Sequence, residues 1–189
     1  MRLSSRSLSL LGCCLLAAAS TAASAQMKAD TPPPGTHVSP AASYGKLLSG
    51  MEKQFVDAAE AMPADKYSFK PSVPGGAFDG VRSFGEEVKH VAQANYYFFN
   101  NPDAPMGGEA KAIDALKSKE EIIKALKDSF VVAHKYVDGI TDENDFVMTK
   151  SGTRGGQAAF GIAHFMDHYG QICVYLRMNG IVPPASRKQ

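Results

Sequence analysis

Two Ser-x-x-Glu boxes constrain this chain more than any other feature. Ser83-Phe84-Gly85-Glu86 and Ser118-Lys119-Glu120-Glu121 each stand directly before an apolar run of helical period. In such a box the Ser hydroxyl accepts from the amide three residues on, and the Glu carboxylate accepts from the Ser amide. Two donors that a helix start leaves unpaired are satisfied together, so each box fixes where a helix begins. The second helix of the chain is expected over about 83–99 and the third over about 119–140. Phe84, Val88, Val91 and Asn95 track one side of the second. Ile123, Leu126, Phe130, Ala133 and Val137 stripe the third.

Two more runs complete the pattern. Tyr44, Leu48, Met51, Phe55 and Ala59 recur at spacings of three and four behind Pro40, which suits a first helical turn, so a first helix is expected over about 40–62. A last run over about 156–179 is rich in Ala, Phe, Ile, Met and Leu, with Gly180 as its stop. No stretch alternates with strand period. Four amphipathic helices predict an all-α fold, a four-helix bundle with long inter-helix loops. The first loop, over about 63–82, holds Pro63, Pro71, Pro74 and Gly75-Gly76, and is long enough to cover one end of the bundle. A second linker runs from Asn100 to Lys117. Asp142-Glu143-Asn144-Asp145 lacks the D-x-D-x-D-G order of a calcium loop and is read as solvated.

The N-terminus reads as an export signal. Arg2 and Arg6 precede an apolar run from Leu8 to Ala19, and Ala23-Ser24-Ala25 is a cleavage pattern. The chain therefore divides into a signal peptide (1–25), a Pro-rich tether (26–38), the helical domain (39–184) and a polar tail (185–189). The mature chain would start at Gln26, periplasmic or secreted, and the absence of an Arg-Arg pair favours the general export route. The apolar run is too short for a membrane anchor. Leu11-Gly12-Cys13 offers lipidation at Cys13 as an alternative, against which the long apolar stretch after Cys13 argues. Cleavage leaves Cys173 as the one cysteine, hence no internal disulfide. Among Ile172, Val174 and Leu176, it reads as a small buried apolar residue. Loss of Arg2 and Arg6 takes the formal net charge from +1 to −1. No basic cluster and no Gly-rich phosphate loop is present, so a nucleic-acid partner has no support.

Chemistry concentrates in Gly161-Ile162-Ala163-His164-Phe165-Met166-Asp167-His168-Tyr169-Gly170-Gln171. His164 and His168, four apart on a helix, share one face. The pair can grip one metal ion or simply pack. His90 lies one turn after Glu86, and a lone His there is more often structural or on the surface. His134 reads as a bystander beside the third stripe, and His37 as solvated in the tether. Taken together, one His from the second helix and two from the fourth can converge inside a bundle, leaving open coordination as in a catalytic site. Gln171 and Tyr175 share the His164/His168 face; Gln93 and Tyr97 continue the His90 face. These four are candidates for orienting the imidazoles or touching substrate. Asp167 points about 100° away from His168 on an ideal helix and is not expected to be a general base.

The run Ser83-Phe84-Gly85-Glu86-Glu87-Val88-Lys89-His90-Val91, followed by His164-Phe165-Met166-Asp167-His168-Tyr169-Gly170-Gln171, resembles the DinB-like (DinB/YfiT) family of metalloenzymes. The segment Met62-Pro63-Ala64-Asp65-Lys66-Tyr67-Ser68-Phe69-Lys70-Pro71 resembles that family's first loop. The resemblance covers about 39–184. It implies a four-helix bundle with a divalent metal on His90, His164 and His168, and a homodimer, for which Tyr96-Tyr97-Phe98-Phe99 offers an apolar contact. Characterised relatives include transferases that use low-molecular-weight thiols in the cytosol; the leader is where this chain departs from them.

The leading expectation is therefore an exported metal-dependent enzyme acting on a small molecule by thiol or group transfer, or by hydrolysis. Zinc or nickel leads among ions that imidazole suits. The alternative is a non-catalytic exported bundle that binds a small molecule or a partner, its histidines merely packed. A purely architectural metal would want a fourth protein ligand.

Overall fold

The structure is a computed structural model and describes residues 32–99 and 108–188. The leader, its cleavage site and Cys13 lie outside those residues, as do Asn100 to Gly107 of the second linker. Residues 38–189 cluster as one compact unit, and the stretch before them is a separate one. In that stretch the Thr36 amide donates to Pro33 O at 3.1 Å, closing a turn.

The fold is all-α, as expected. Helix α1 spans Pro40–Ala61. Ser39 caps it by accepting from the Ala42 amide at 3.3 Å, and Pro40 occupies the first helical position, where no amide is missed. Helix α2 spans Phe84–Phe99. Its box is reciprocal: the Ser83 amide donates to Glu86 at 2.6 Å and the Glu86 amide to Ser83 Oγ at 3.3 Å. Helix α3 spans Gly108–Ala112, helix α4 Lys119–Asp138 and helix α5 Arg154–Met178. The box at Ser118 and Glu121 opens α4, again with both bonds made. Among the described residues no helix is long and apolar enough to cross a membrane.

Helix α2 packs on α4 and α5, and α1 packs on the same two. Phe55, Phe84, Phe99, Phe130 and Phe165 fill the space between them. Phe130 and Phe165 meet edge to face with centroids 5.3 Å apart. A buried polar contact joins α2 to α4, Asn95 Nδ2 donating to Ser129 Oγ at 3.0 Å. The first loop folds back under α2. The Tyr67 hydroxyl donates to Ala59 O, while the Phe84 and Gly85 amides donate to Phe69 O and Tyr67 O. The loop thus takes up free amides at the helix start that the box does not reach.

Several details differ from the sequence reading. The linker before α4 contains α3 and a further 3₁₀ turn, Ile113–Ala115, with Ile113 buried; a single Ala-rich turn has no period to announce it. Helix α5 begins two residues early because a two-strand hairpin, β1 (Met148–Thr149) and β2 (Gly152–Thr153), delivers Thr153 as its cap. Gly152 turns the hairpin at φ 125, a conformation other residues rarely adopt. Asp145 is buried, not solvated. A Cβ on Gly155 would lie 1.7 Å from its Oδ1, so that glycine makes room for the carboxylate. Cys173 is half-buried rather than core. The tail opens with one 3₁₀ turn, Pro184–Ser186, against α1.

Helices α2 and α5 pack tightly at Gly161. A Cβ there would lie 2.5 Å from Phe99 Cζ and 3.1 Å from Phe98 Cβ. Helix propensity favours replacing a helical glycine by up to about 1 kcal/mol, so any net loss reports the clash. Gly161→Val is expected to destabilise the fold by about 1–3 kcal/mol, read as a lower urea midpoint at unchanged slope.

Candidate metal centre

Helix α2 turns Glu87 and His90, three apart, toward α5, and α5 turns back His164 and His168, about one and two turns beyond Gly161. His90, His164 and His168 each offer one ring nitrogen, and these nitrogens all lie within 4.8 Å of one another. Ring centroids are 5.2 Å apart for His90 and His164, and 4.6 Å for each pair with His168. A tetrahedral ion with Zn–N bonds near 2.0–2.1 Å wants nitrogens about 3.4 Å apart, a distance that small side-chain rotations close. Among the described residues no other group of three His, Cys, Asp or Glu side chains comes together in this way.

A buried carboxylate stands behind this trio. Glu87 Oε2 lies 2.5 Å from His168 Nδ1, with Glu87 2 % exposed and His168 6 % exposed. An ionised carboxylate only accepts, so Nδ1 carries a proton, and in the neutral ring the lone pair is then on Nε2. This is how second partners orient metal-binding imidazoles and raise their basicity. The other oxygen of Glu87 lies 3.9 Å from an Arg82 guanidinium nitrogen. Sequence reasoning passed over Glu87 because the capping box drew attention to its neighbour Glu86. The signal was present: Glu87 precedes His90 by three and so shares its face.

The pattern of the DinB superfamily matches residues 47–172, from within α1 into α5, and takes in Glu87 and all three histidines. The chain belongs to the DinB superfamily. No curated protein matches it. Membership and a converged three-His cluster agree on a site fit for a metal ion, the donor set being three nitrogens with no competing thiolate.

Electrostatics in this DinB site favour neutral rings. Burial, then the Arg82 cation and the other two imidazoles, push His90 down to about 4. Burial first, then His168, also hold His164 below its ordinary value. Both rings therefore keep a lone pair free at neutral pH. Phe98 packs against His164 at 5.1 Å between centroids and restricts that ring.

The other sequence candidates divide. Gln93 borders the same recesses as His90, while its amide donates to Ala110 O at 3.0 Å and Asp114 Oδ1 at 2.8 Å. Tyr97 is 59 % exposed and borders a shallow recess of about 250 Å³ with Ala94, Phe98, His90 and His164. Gln171 Nε2 lies 3.4 Å from His168 Nδ1, a nitrogen whose proton already goes to Glu87, so this is a contact and not the orienting bond. The Tyr175 hydroxyl donates to Arg82 O at 3.2 Å, and so acts on the segment that carries Arg82. His134 pairs with Glu52 at 2.6 Å between α4 and α1, apart from the trio, and Asp167 faces solvent. Of the aromatic run, Phe99 is core, Tyr97 is exposed, and Tyr96 and Phe98 are half-buried.

Two outcomes follow from this geometry. Glu87→Gln keeps the shape but loses the charge behind His168; affinity for a divalent ion, by competition against a chelating dye, is expected to fall about 10–100-fold. In the metal-free protein, unfolded His90 takes a proton near pH 6.5, whereas folded His90 resists it to about 4. The unfolded chain thus binds more protons in that interval, and stability falls as pH drops through it. Melting temperatures measured between pH 7.5 and 4 should show this decline, and His90→Gln should flatten it.

Proposed function

We propose that this DinB chain is a metal-dependent enzyme in which His90, His164 and His168 hold one divalent ion with open coordination. The observation that carries the reading is the convergence of three imidazoles, one of them backed by a buried carboxylate. The pairwise packing of α1, α2, α4 and α5 supports a four-helix bundle as the frame. Zinc or nickel suits an all-imidazole donor set. A bound ion would supply Lewis acidity, lowering the pKa of a water or thiol at its open position. The chain's own residues orient and insulate: Glu87 fixes the His168 tautomer, Phe98 restrains His164, and Gly161 lets the two helices close. Glu87 is committed to His168 and Asp167 faces solvent, so no carboxylate stands free as a general base among these groups. That favours thiol or group transfer over hydrolysis as the reaction class.

The leader reading belongs to this proposal, on the basic start, apolar run and Ala23-Ser24-Ala25. One preparation tests both. Protein recovered from outside the cytoplasm is expected to begin at Gln26 by mass spectrometry and to carry about one divalent ion per chain, the capacity of a single three-His site. His164→Ala should lose the ion while keeping its helical circular dichroism. Chelation should lower the wild-type melting temperature, since a ligand at 100 times its Kd adds about 2.7 kcal/mol to the native state. A wild-type protein that takes up no ion after reconstitution, or a loaded one whose melting ignores the chelator, sinks the metal reading in favour of a non-catalytic binding bundle.

A further inference from the structure

A cavity of about 570 Å³ opens beside the histidines, with His90 in its wall. Lys70, Arg82, Lys89 and Lys117 line it, against the carboxylates of Glu86 and Asp114. Both carboxylates are already engaged. Glu86 accepts from the Ser83 amide at 2.6 Å and lies 3.4 Å from Lys70. Asp114 accepts from Gln93 at 2.8 Å. The Lys89 ammonium donates to a backbone carbonyl, Asp114 O, at 3.1 Å, a bond that leaves its charge uncompensated. Arg82 has Glu87 at 3.9 Å, and that carboxylate is spent on His168.

Solvated lysines on a helix face are ordinary, and their number alone says nothing. Here the cationic heads line one concavity whose wall includes a histidine of the converged trio. Their backbone is also tied down. Tyr175 holds Arg82 O, and Gln93 ties α2 to the segment that carries Asp114. A guanidinium grips a carboxylate or phosphate through two parallel bonds, and a concave wall of net positive charge concentrates anions.

We propose that this cavity holds the oxyanionic end, a carboxylate or a phosphate, of the small molecule on which the three-His centre acts, with Arg82 as its principal contact. The proposal rests on the metal-centre reading for the second half of that sentence only. Succinate and inorganic phosphate, titrated into metal-free and zinc-loaded protein and followed by backbone amide shifts, test it and separate the two chemistries. Saturable shifts at Arg82, His90 and Lys117 are expected for at least one anion, with a midpoint on the order of 1–10 mM for so small a probe. Arg82→Gln should weaken binding by about 10-fold or more, the scale of a charge-assisted bond. Lys117→Gln, which leaves the Glu87 pair untouched, should weaken it about 2–5-fold, and added salt should weaken both. A divalent cation held by the trio would attract an anion in the adjoining cavity, so zinc loading should tighten binding several-fold in wild type and not in His164→Ala.

The absence of any saturable shift, wild-type affinity in both Arg82→Gln and Lys117→Gln, or equal affinity with and without zinc in the wild type overturns the proposal. A wild-type chain that takes up no zinc yet binds succinate through Arg82 overturns the metal reading instead and leaves the anion cavity standing.

Discussion

The functional end of this molecule depends on one buried contact, Glu87 to His168. A carboxylate taken out of water costs several kcal/mol unless its partners are well placed. This one has the His168 ring at 2.5 Å and the Arg82 cation at 3.9 Å. As a means of holding α2 to α5 it is a poor choice, because apolar residues of similar size hold buried seams at least as well. Its value is directional. It commits Nδ1 of His168 and so selects Nε2 as the nitrogen that the ring can offer a metal ion. Gly161, one turn before His164, makes this reach possible by letting the helices close.

That contact in turn depends on how the helices are started. Rotating α2 by one residue would swing Glu87 and His90 about 100° away from α5. The reciprocal bonds of Ser83 and Glu86, together with the loop carbonyls of Tyr67 and Phe69, leave the first turn of α2 little freedom to do so. The β1–β2 hairpin has the same role for α5: it places Thr153 as the cap three turns before His164. The adjacent Asp145, buried beside Gly155, braces that corner. Loops that read as slack linkage thus set the rotation of both histidine-bearing helices.

This explains what the sequence could and could not tell. Capping boxes and apolar stripes are local, so the four long helices and most of their bounds were legible. The histidine trio was legible because helical spacing brings His164 and His168 to one face and the family-like order added His90. Glu87 was not, since its importance comes from a helix distant in sequence. The short α3, the hairpin and the burial of Asp145 were missed for a related reason: each is stabilised by tertiary contacts, and none has a period of its own. Gln93 lies beside His90 as its spacing implied, but the hydrogen bond that holds its amide goes to Asp114, on a segment no pattern announced.

Charge around the centre is sorted by depth. Negative charge lies behind, on Glu87, reaching the trio only through His168. His90 and His164, both pushed down first by burial and also by Arg82, occupy the middle. On the cavity side positive charge outweighs negative, Arg82 and three lysines facing Glu86 and Asp114. A histidine with its ordinary pKa would be partly charged near neutral pH, placing a cation where a metal ion must enter. Pushing His90 down removes that obstacle, while the carboxylate behind His168 offsets the opposition of Arg82 to an incoming ion. A bound ion would then extend the positive field on the cavity side. On the proposed reading the surface would favour a cation at the trio and an anion in the cavity, and His90, which borders both the charged cavity and the apolar recess of Tyr97 and Phe98, is where those requirements meet.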